Sequence, residues 1–401
     1  MVPMTSSTGL RTVETMIPNG AFCRLAHLVV VALVVAACSS GTTAQVEPTV
    51  SIPPRSTPTT TAASPTTSTA ATTGGVIDDE FTAAFTEIVT SVEGGAVTAV
   101  RVAGGPLVIA GAGTEPDGTP VQADAVVRVG SISKLLTTVL VLGLVEDGSI
   151  DLDARLDTIL PDTPVGGDAT VRQLLSHRTG IPNYTENPGF FPVVLRRPNR
   201  SVTPDEVLGF ADPDDAAFAP GEQFAYSNTN YVLLGQIIET VSGRTLAEEL
   251  DRQITGPLGL TATSFDDGSR TDVIHGHTAF VASGSTDFDY TSVATSAWAA
   301  GSLVTTAEEL ARFATALFDG ELIGPALVDE MRAPLEEGAD YGLGLHPGPD
   351  FGVGHGGAIP GFNSILQLDP ATGDLLIVVV GNDLRSPEAL TEAVWEAAGG
   401  T

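Results

Sequence analysis

Val129-Gly130-Ser131-Ile132-Ser133-Lys134 runs directly into Leu135–Val145, Leu-Leu-Thr-Thr-Val-Leu-Val-Leu-Gly-Leu-Val. The run has no polar face, which predicts a helix buried on nearly all sides. With Ser131 opening this helix, Lys134 falls one turn on and on the same face, its amine beside the serine hydroxyl. Lys134 is the only lysine in the chain; the other seventeen basic residues are arginine. A positive helix end and apolar surroundings both disfavour an ammonium there. The pKa of Lys134 is therefore expected to fall, and a neutral amine can take a serine proton. Serine is common, so an isolated Ser-x-x-Lys is a weak signal.

Two stretches downstream add to it. Phe224-Ala-Tyr226-Ser227-Asn228 precedes another apolar helical run, Val232–Val241. A tyrosine and an amide two apart at a loop-to-helix junction can face one cleft, where a phenol relays a proton and an amide bonds both a substrate amide and a lysine; a polar helix cap is the plainer alternative. Gly354-His355-Gly356-Gly357-Ala358 reads as a strand beside a hairpin. Its glycines let a substrate lie close to the backbone, and the Ala358 N–H can join the Ser131 N–H as an oxyanion hole.

Ser-x-x-Lys, Tyr-x-Asn and His-x-Gly, 95 and then 129 residues apart, together resemble the penicillin-recognising serine hydrolases: class C β-lactamases, D-alanyl-D-alanine carboxypeptidases and related esterases. Leu174-Leu-Ser-His177-Arg-Thr-Gly180-Ile-Pro, the stretch from Gly301 to Ala311 and Tyr341-Gly-Leu-Gly are similar to the same family. The resemblance covers about residues 80–398. It implies Ser131 as nucleophile, Lys134 as its proton acceptor and Tyr226 as relay to the leaving group and base for deacylation. It further implies Asn228 positioning the acyl amide, His355 and Gly357 lining the third wall, and the backbone N–H groups of Ser131 and Ala358 as oxyanion donors. Gly356 stands where carboxylate-binding members carry threonine, and His355 is near-neutral at pH 7. A carboxypeptidase-like or esterase-like action on a small amide or ester is expected, with a class C-type β-lactamase or a catalytically weak penicillin-binding protein as alternatives. No cofactor is implied. His275-Gly-His277 lacks a third ligand for a metal, and Asp147, Asp151 and Asp153 read as caps and solvated charge.

The expected fold is α+β and β-lactamase/transpeptidase-like: an antiparallel sheet built from both termini, flanked by helices, with a mostly helical lobe. Phe81, Phe85, Ile88, Val89 and Val92 share one helical face after Asp78. Ala96–Val102 and Leu107–Ala112 read as strands around Gly104-Gly105-Pro106. Thr170-x-x-Gln173, Thr203-x-x-Glu206, Thr245-x-x-Glu248 and Thr305-x-x-Glu308 look like capping boxes that open helices. Strands return at Phe362–Leu368 and Asp374–Val380, and Ser386-Pro387 opens a last helix. The chain divides into residues 1–38, 39–76 and 77–401.

The first segment holds the short apolar run 25–37 behind Arg24, too short for the roughly 20 residues a spanning helix needs. It reads as an export signal. Val35-Ala36-Ala37-Cys38 resembles the bacterial lipoprotein box, which implies acylation of Cys38 and a lipid anchor on the outer face of the cell membrane. Residues 39–76, rich in Thr, Ser and Pro, read as a spacer. Across the 401 residues, 49 Asp and Glu face 18 Lys and Arg, a formal charge of −31. Such a chain lacks the clustered cations that nucleic-acid phosphates demand, so a small-molecule or peptide substrate is expected and no nucleic acid. The two cysteines, Cys23 and Cys38, both precede the globular part, which leaves no disulfide framework for the fold.

Overall fold

The computed structural model describes residues 75–281 and 290–400. The export signal, Cys38 and almost all of the spacer lie outside the described residues.

The main sheet is antiparallel and six-stranded, in the order β2-β1-β9-β8-β7-β6. Its strands are β1 (Ala96–Arg101), β2 (Val108–Ala112), β6 (His346–Pro347), β7 (Val353–Ile359), β8 (Phe362–Leu368) and β9 (Leu375–Val380). The first hairpin thus joins the last three strands through β1 and β9, and the sheet is built from both ends of the domain. Strand β9, Leu-Leu-Ile-Val-Val-Val, is buried along its whole length because each face meets a different layer. Leu376, Val378 and Val380 turn toward Phe81, Phe85 and Leu390, while Leu375, Ile377 and Val379 turn toward the larger core. That period of two on a continuously apolar strand is what burial on both faces produces.

Helices α1 (Asp79–Val89) and α7 (Glu388–Ala397) form the outer layer. Asp78 caps α1 by accepting from the Phe81 N–H at 2.8 Å. On the other face lie α2 (Ser133–Glu146), α3 (Asn228–Ser242), α4 (Thr291–Gly301), α5 (Ala307–Phe318) and α6 (Pro325–Glu336), with several shorter turns. Leu135, Leu136 and Val139–Leu142 are all buried, as a helix without a polar face requires. Helix α2 packs against α3 and α4.

The capping boxes at Thr170, Thr203 and Thr245 close as expected. The fourth sits one residue later than Thr305-x-x-Glu308 predicted: Thr306 caps α5, accepting from the Glu309 N–H at 3.1 Å. The Glu309 carboxylate is occupied instead by the N–H groups of Thr261 and Ala262 and the Thr263 hydroxyl, so no reciprocal box forms. Thr305 belongs to β5 (Leu303–Thr305), the centre of a small three-stranded sheet with β3 (Val127–Arg128) and β4 (Ser264–Phe265). Strands this short carry too few residues to show an alternating pattern.

Candidate active site

Ser131 lies in a single 3₁₀ turn, Gly130–Ile132, and not at the head of α2 itself. Gly130 has φ +51°, and a Cβ on it would come within 2.7 Å of the Ala358 nitrogen. A Cβ on Gly357 would come within 2.0 Å of the Val129 carbonyl oxygen. The turn and strand β7 therefore interlock backbone to backbone, and the two glycines are what the approach requires. The Ser364 hydroxyl donates to the Val129 carbonyl at 2.8 Å and ties β8 to the same turn. The interlock brings the Ser131 peptide up to exposed Ala358.

The Ser133 hydroxyl donates to the Gly130 carbonyl at 2.6 Å and accepts from the Leu303 N–H at 2.9 Å, fixing the head of α2. One residue on, Lys134 has no exposed surface. Its Nζ lies 3.0 Å from Ser131 Oγ, 2.8 Å from Asn228 Oδ1 and 2.7 Å from the Ala300 carbonyl oxygen. The rings of Tyr226 and Tyr231 stand 5.0 and 5.3 Å from it. Burial pulls the Lys134 pKa well below the usual lysine range. Burial pushes the Tyr226 phenol up, outweighing the opposing influence of the Ser131 hydroxyl nearby, so it stays protonated at neutral pH.

The Ala300 carbonyl reaches Lys134 because α4 breaks at Trp298, which takes φ 37° and ψ −127°. Behind that kink the Ala299 carbonyl accepts from Thr137 at 2.7 Å and the Ala300 carbonyl from Lys134. The Trp298 ring occupies the space that a Cβ on Gly235 would take, which seats the kink on α3.

Asn228 is the first residue of α3. Besides meeting Lys134, its Nδ2 donates to Asn183 Oδ1 and to Thr185 Oγ1, each at 3.3 Å. Both of its N–H groups are thus engaged within the protein. His355 is 4% exposed. Its Nδ1 faces the Gly356 carbonyl oxygen, which can only accept, so Nδ1 carries the hydrogen and Nε2 accepts from the Tyr341 hydroxyl at 3.0 Å. Both ring nitrogens are used inside the fold, and burial holds the imidazole neutral. What β7 presents at Ala358 is therefore backbone.

His177 lies in the stretch Leu174–Pro182 already singled out from sequence, but its contacts come only from the fold, while His346, Asn183 and Thr185 are not apparent from sequence. His177 takes φ 55°, is fully buried and packs at a tilt against Tyr226, 4.3 Å between ring centroids. It accepts from the Ser227 N–H at 3.2 Å. His346 is pushed down to about 4 by burial and stands 5.0 Å from the His355 ring. Asn183 and Thr185 follow the stretch Gly180-Ile-Pro directly; their position was the signal available. His275 stands 3.6 Å from Glu115, and His277 pairs by its backbone with Asn382, apart from these residues.

Comparison with known proteins follows the same outline. The family model described as Beta-lactamase matches residues 81–399. The chain is 30% identical to a D-stereospecific amidohydrolase from Streptomyces sp., with a TM-score of 0.68 over 80% of this chain and 97% of that one. A D-amino acid amidase from Ochrobactrum anthropi SV3, solved with L-phenylalanine, is 26% identical with a TM-score of 0.67, over 80% and 98% of the two chains. Penicillin-binding protein 4* of Bacillus subtilis is 28% identical over 62% of this chain and 58% of its own length. The chain thus spans about three fifths of the length of the first curated relatives that it matches.

Proposed function

The chain belongs to the beta-lactamase family, and from that premise we propose that it is a serine hydrolase acting through a covalent acyl-enzyme on a small amide or ester without a free carboxylate. The observation that carries this reading is a fully buried lysine amine 3.0 Å from a serine hydroxyl. Neutral Lys134 takes the Ser131 proton as Oγ attacks the carbonyl carbon. The resulting oxyanion rests against the N–H groups of Ser131 and Ala358. The tetrahedral intermediate collapses by breaking the bond to the amine or alcohol, which leaves with the proton taken from Ser131, handed on from Lys134 through Tyr226, so that Lys134 is neutral again. Water then attacks the Ser131 ester, giving its proton to Lys134 rather than to Tyr226, whose phenol is already protonated; the acyl–Oγ bond breaks, Lys134 returns that proton to Ser131 Oγ, and the acid is released.

The substrate class is read from the third motif. A buried, neutral His355 with both nitrogens engaged offers no cation to a carboxylate. Residues 76–401 carry 47 acidic and 15 basic side chains, so an anionic substrate is also repelled at long range. An amino acid amide is cationic at neutral pH and has no carboxylate, and the likeness to two amide-cleaving enzymes supports that choice. For location, the lipobox-like Val35–Cys38 and the spacer after it support an exported enzyme anchored by an acylated Cys38 and held off the membrane.

Turnover of a D-amino acid amide, a p-nitrophenyl ester and a peptide ending in D-alanyl-D-alanine tests the reading. The amide or the ester is expected to exceed the peptide at least about tenfold in kcat/KM, with no turnover by Ser131→Ala. Equal rates for Ser131→Ala, or a preference for the carboxylate-bearing peptide, would overturn it.

A further inference from the structure

We infer that Asn183 is a positioning residue that keeps the Asn228 amide oxygen on Lys134 and thereby aims the lysine lone pair at Ser131. The inference rests on reading Ser131 as nucleophile and Lys134 as its base.

Asn183 is 7% exposed and caps the 3₁₀ turn Tyr184–Glu186. The backbone N–H of Asn228, which can only donate, meets its side chain at 3.1 Å, so the atom there is the amide oxygen. The same oxygen accepts from Thr185 Oγ1 at 3.0 Å. At the other end its Nδ2 donates to Glu186 Oε1 at 3.3 Å, and a carboxylate can only accept. The Asn183 amide is pinned in one orientation from both sides.

That orientation fixes the next amide. Facing Asn183 Oδ1 and Thr185 Oγ1, the near atom of Asn228 must be Nδ2, which leaves Oδ1 toward Lys134 at 2.8 Å. It also fixes the amine. The Ala300 carbonyl and Asn228 Oδ1 are both pure acceptors, so they claim both N–H bonds of a neutral Lys134. The one lone pair is left for the third neighbour, Ser131 Oγ at 3.0 Å. An Asn228 amide turned over would present an N–H to that lone pair and remove the base from Ser131. The unbroken series from the Asn228 backbone through Asn183 and Asn228 to Lys134 forbids the turn.

The titratable groups around Lys134 are Tyr226 and Tyr231, whose rings flank it, the buried imidazoles of His177 and His355, and the half-buried His346. No carboxylate pairs with it among the described residues. The acid limb of kcat/KM therefore reports Lys134 losing its proton, and two variants should move that limb in opposite directions. Asn183→Leu releases the Asn228 amide; an N–H facing Lys134 disfavours the ammonium, so the limb shifts to lower pH while the rate falls about tenfold to a hundredfold. Asn183→Asp combined with Glu186→Gln keeps an acceptor at one end and gives the second oxygen a donor at the other. It brings negative charge toward Lys134, so the limb shifts up by about one unit with most of the activity kept at the new optimum.

Thermal melting and fluorophosphonate titration of Ser131 count the folded, competent enzyme in each preparation. Opposite shifts support the inference. Equal losses with an unmoved limb, or an Asn183→Leu enzyme that behaves as wild type, overturn it. Ser131→Ala separates the two levels: if that variant still turns over, the nucleophile assignment has failed; if it is inactive and the limbs do not move, only the role of Asn183 falls.

Discussion

A lysine with no exposed surface, two carbonyl-type acceptors and a serine hydroxyl is held by hydrogen bonds and not by an opposite charge. The same scale explains why two glycines border the serine. Gly357→Ala would drive a methyl group to 2.0 Å from the Val129 carbonyl oxygen, a backbone atom that cannot swing aside. The expected result is a loss of stability of about 1–3 kcal/mol, read from the urea midpoint. Turnover should fall by about 100-fold or more as the Ala358 N–H is displaced from the oxyanion position. A variant with normal kcat would show that β7 plays no part in the chemistry. Ser131 and Lys134 were legible because one turn of chain joins them and the chain has no other lysine. Asn183 was not, since an amide's role depends on which of its ends faces the Asn228 backbone, a contact across 45 residues. His355 was legible as a β7 residue but not as an interior one: its burial is set by Tyr341 and the sheet, not by its glycine neighbours.

Elements divide the labour of stability and chemistry between the two faces of the sheet. Phe85 is fully buried between α1, α7 and the outer face of β9, in a layer separate from the one that holds Lys134. Phe85→Ala should cost about 3–5 kcal/mol in urea unfolding while leaving kcat of the folded fraction unchanged. A comparable drop in kcat would mean that the outer layer is coupled to the site. Helix starts were the most legible elements, because a capping box is written in four consecutive residues; three of four closed as read. The fourth slipped by one because Thr305 is taken up by β5, leaving Thr306 as the cap, and its box stays open because the Glu309 carboxylate serves a distant turn at Thr261–Thr263, neither of which local sequence encodes. The small sheet of β3, β5 and β4 escaped for a related reason: strands of two or three residues owe their pairing to tertiary contacts alone.

At the scale of the whole molecule, two buried histidines, His177 and His355, and the half-buried His346 make folding pH-dependent. Burial holds His346 at about 4, and His177 and His355 shift in the same direction. Between about pH 4 and the usual histidine value near 6.5, the unfolded chain binds protons that the folded chain refuses. Their contribution is present in full above that window and is lost as pH falls through it. The urea midpoint of His346→Gln should therefore fall less steeply than that of wild type from pH 6.5 to 4; parallel slopes would place His346 in solvent. The formal charge of −31 acts over the same range of distance. It leaves the fold class untouched and bears on which substrates approach, with an effect that salt screens. The antiparallel sheet built from both ends was legible at this scale, because apolar strands at both termini bracket a helical middle.

The central claim is that Ser131, activated by Lys134, forms a covalent intermediate. Intact-mass measurement of residues 76–401 after exposure to a fluorophosphonate, with Ser131→Ala alongside, tests it most directly. One phosphonyl group per molecule in the wild type and none in the variant is the predicted result. An unmodified wild type, or the same adduct on both proteins, would contradict it.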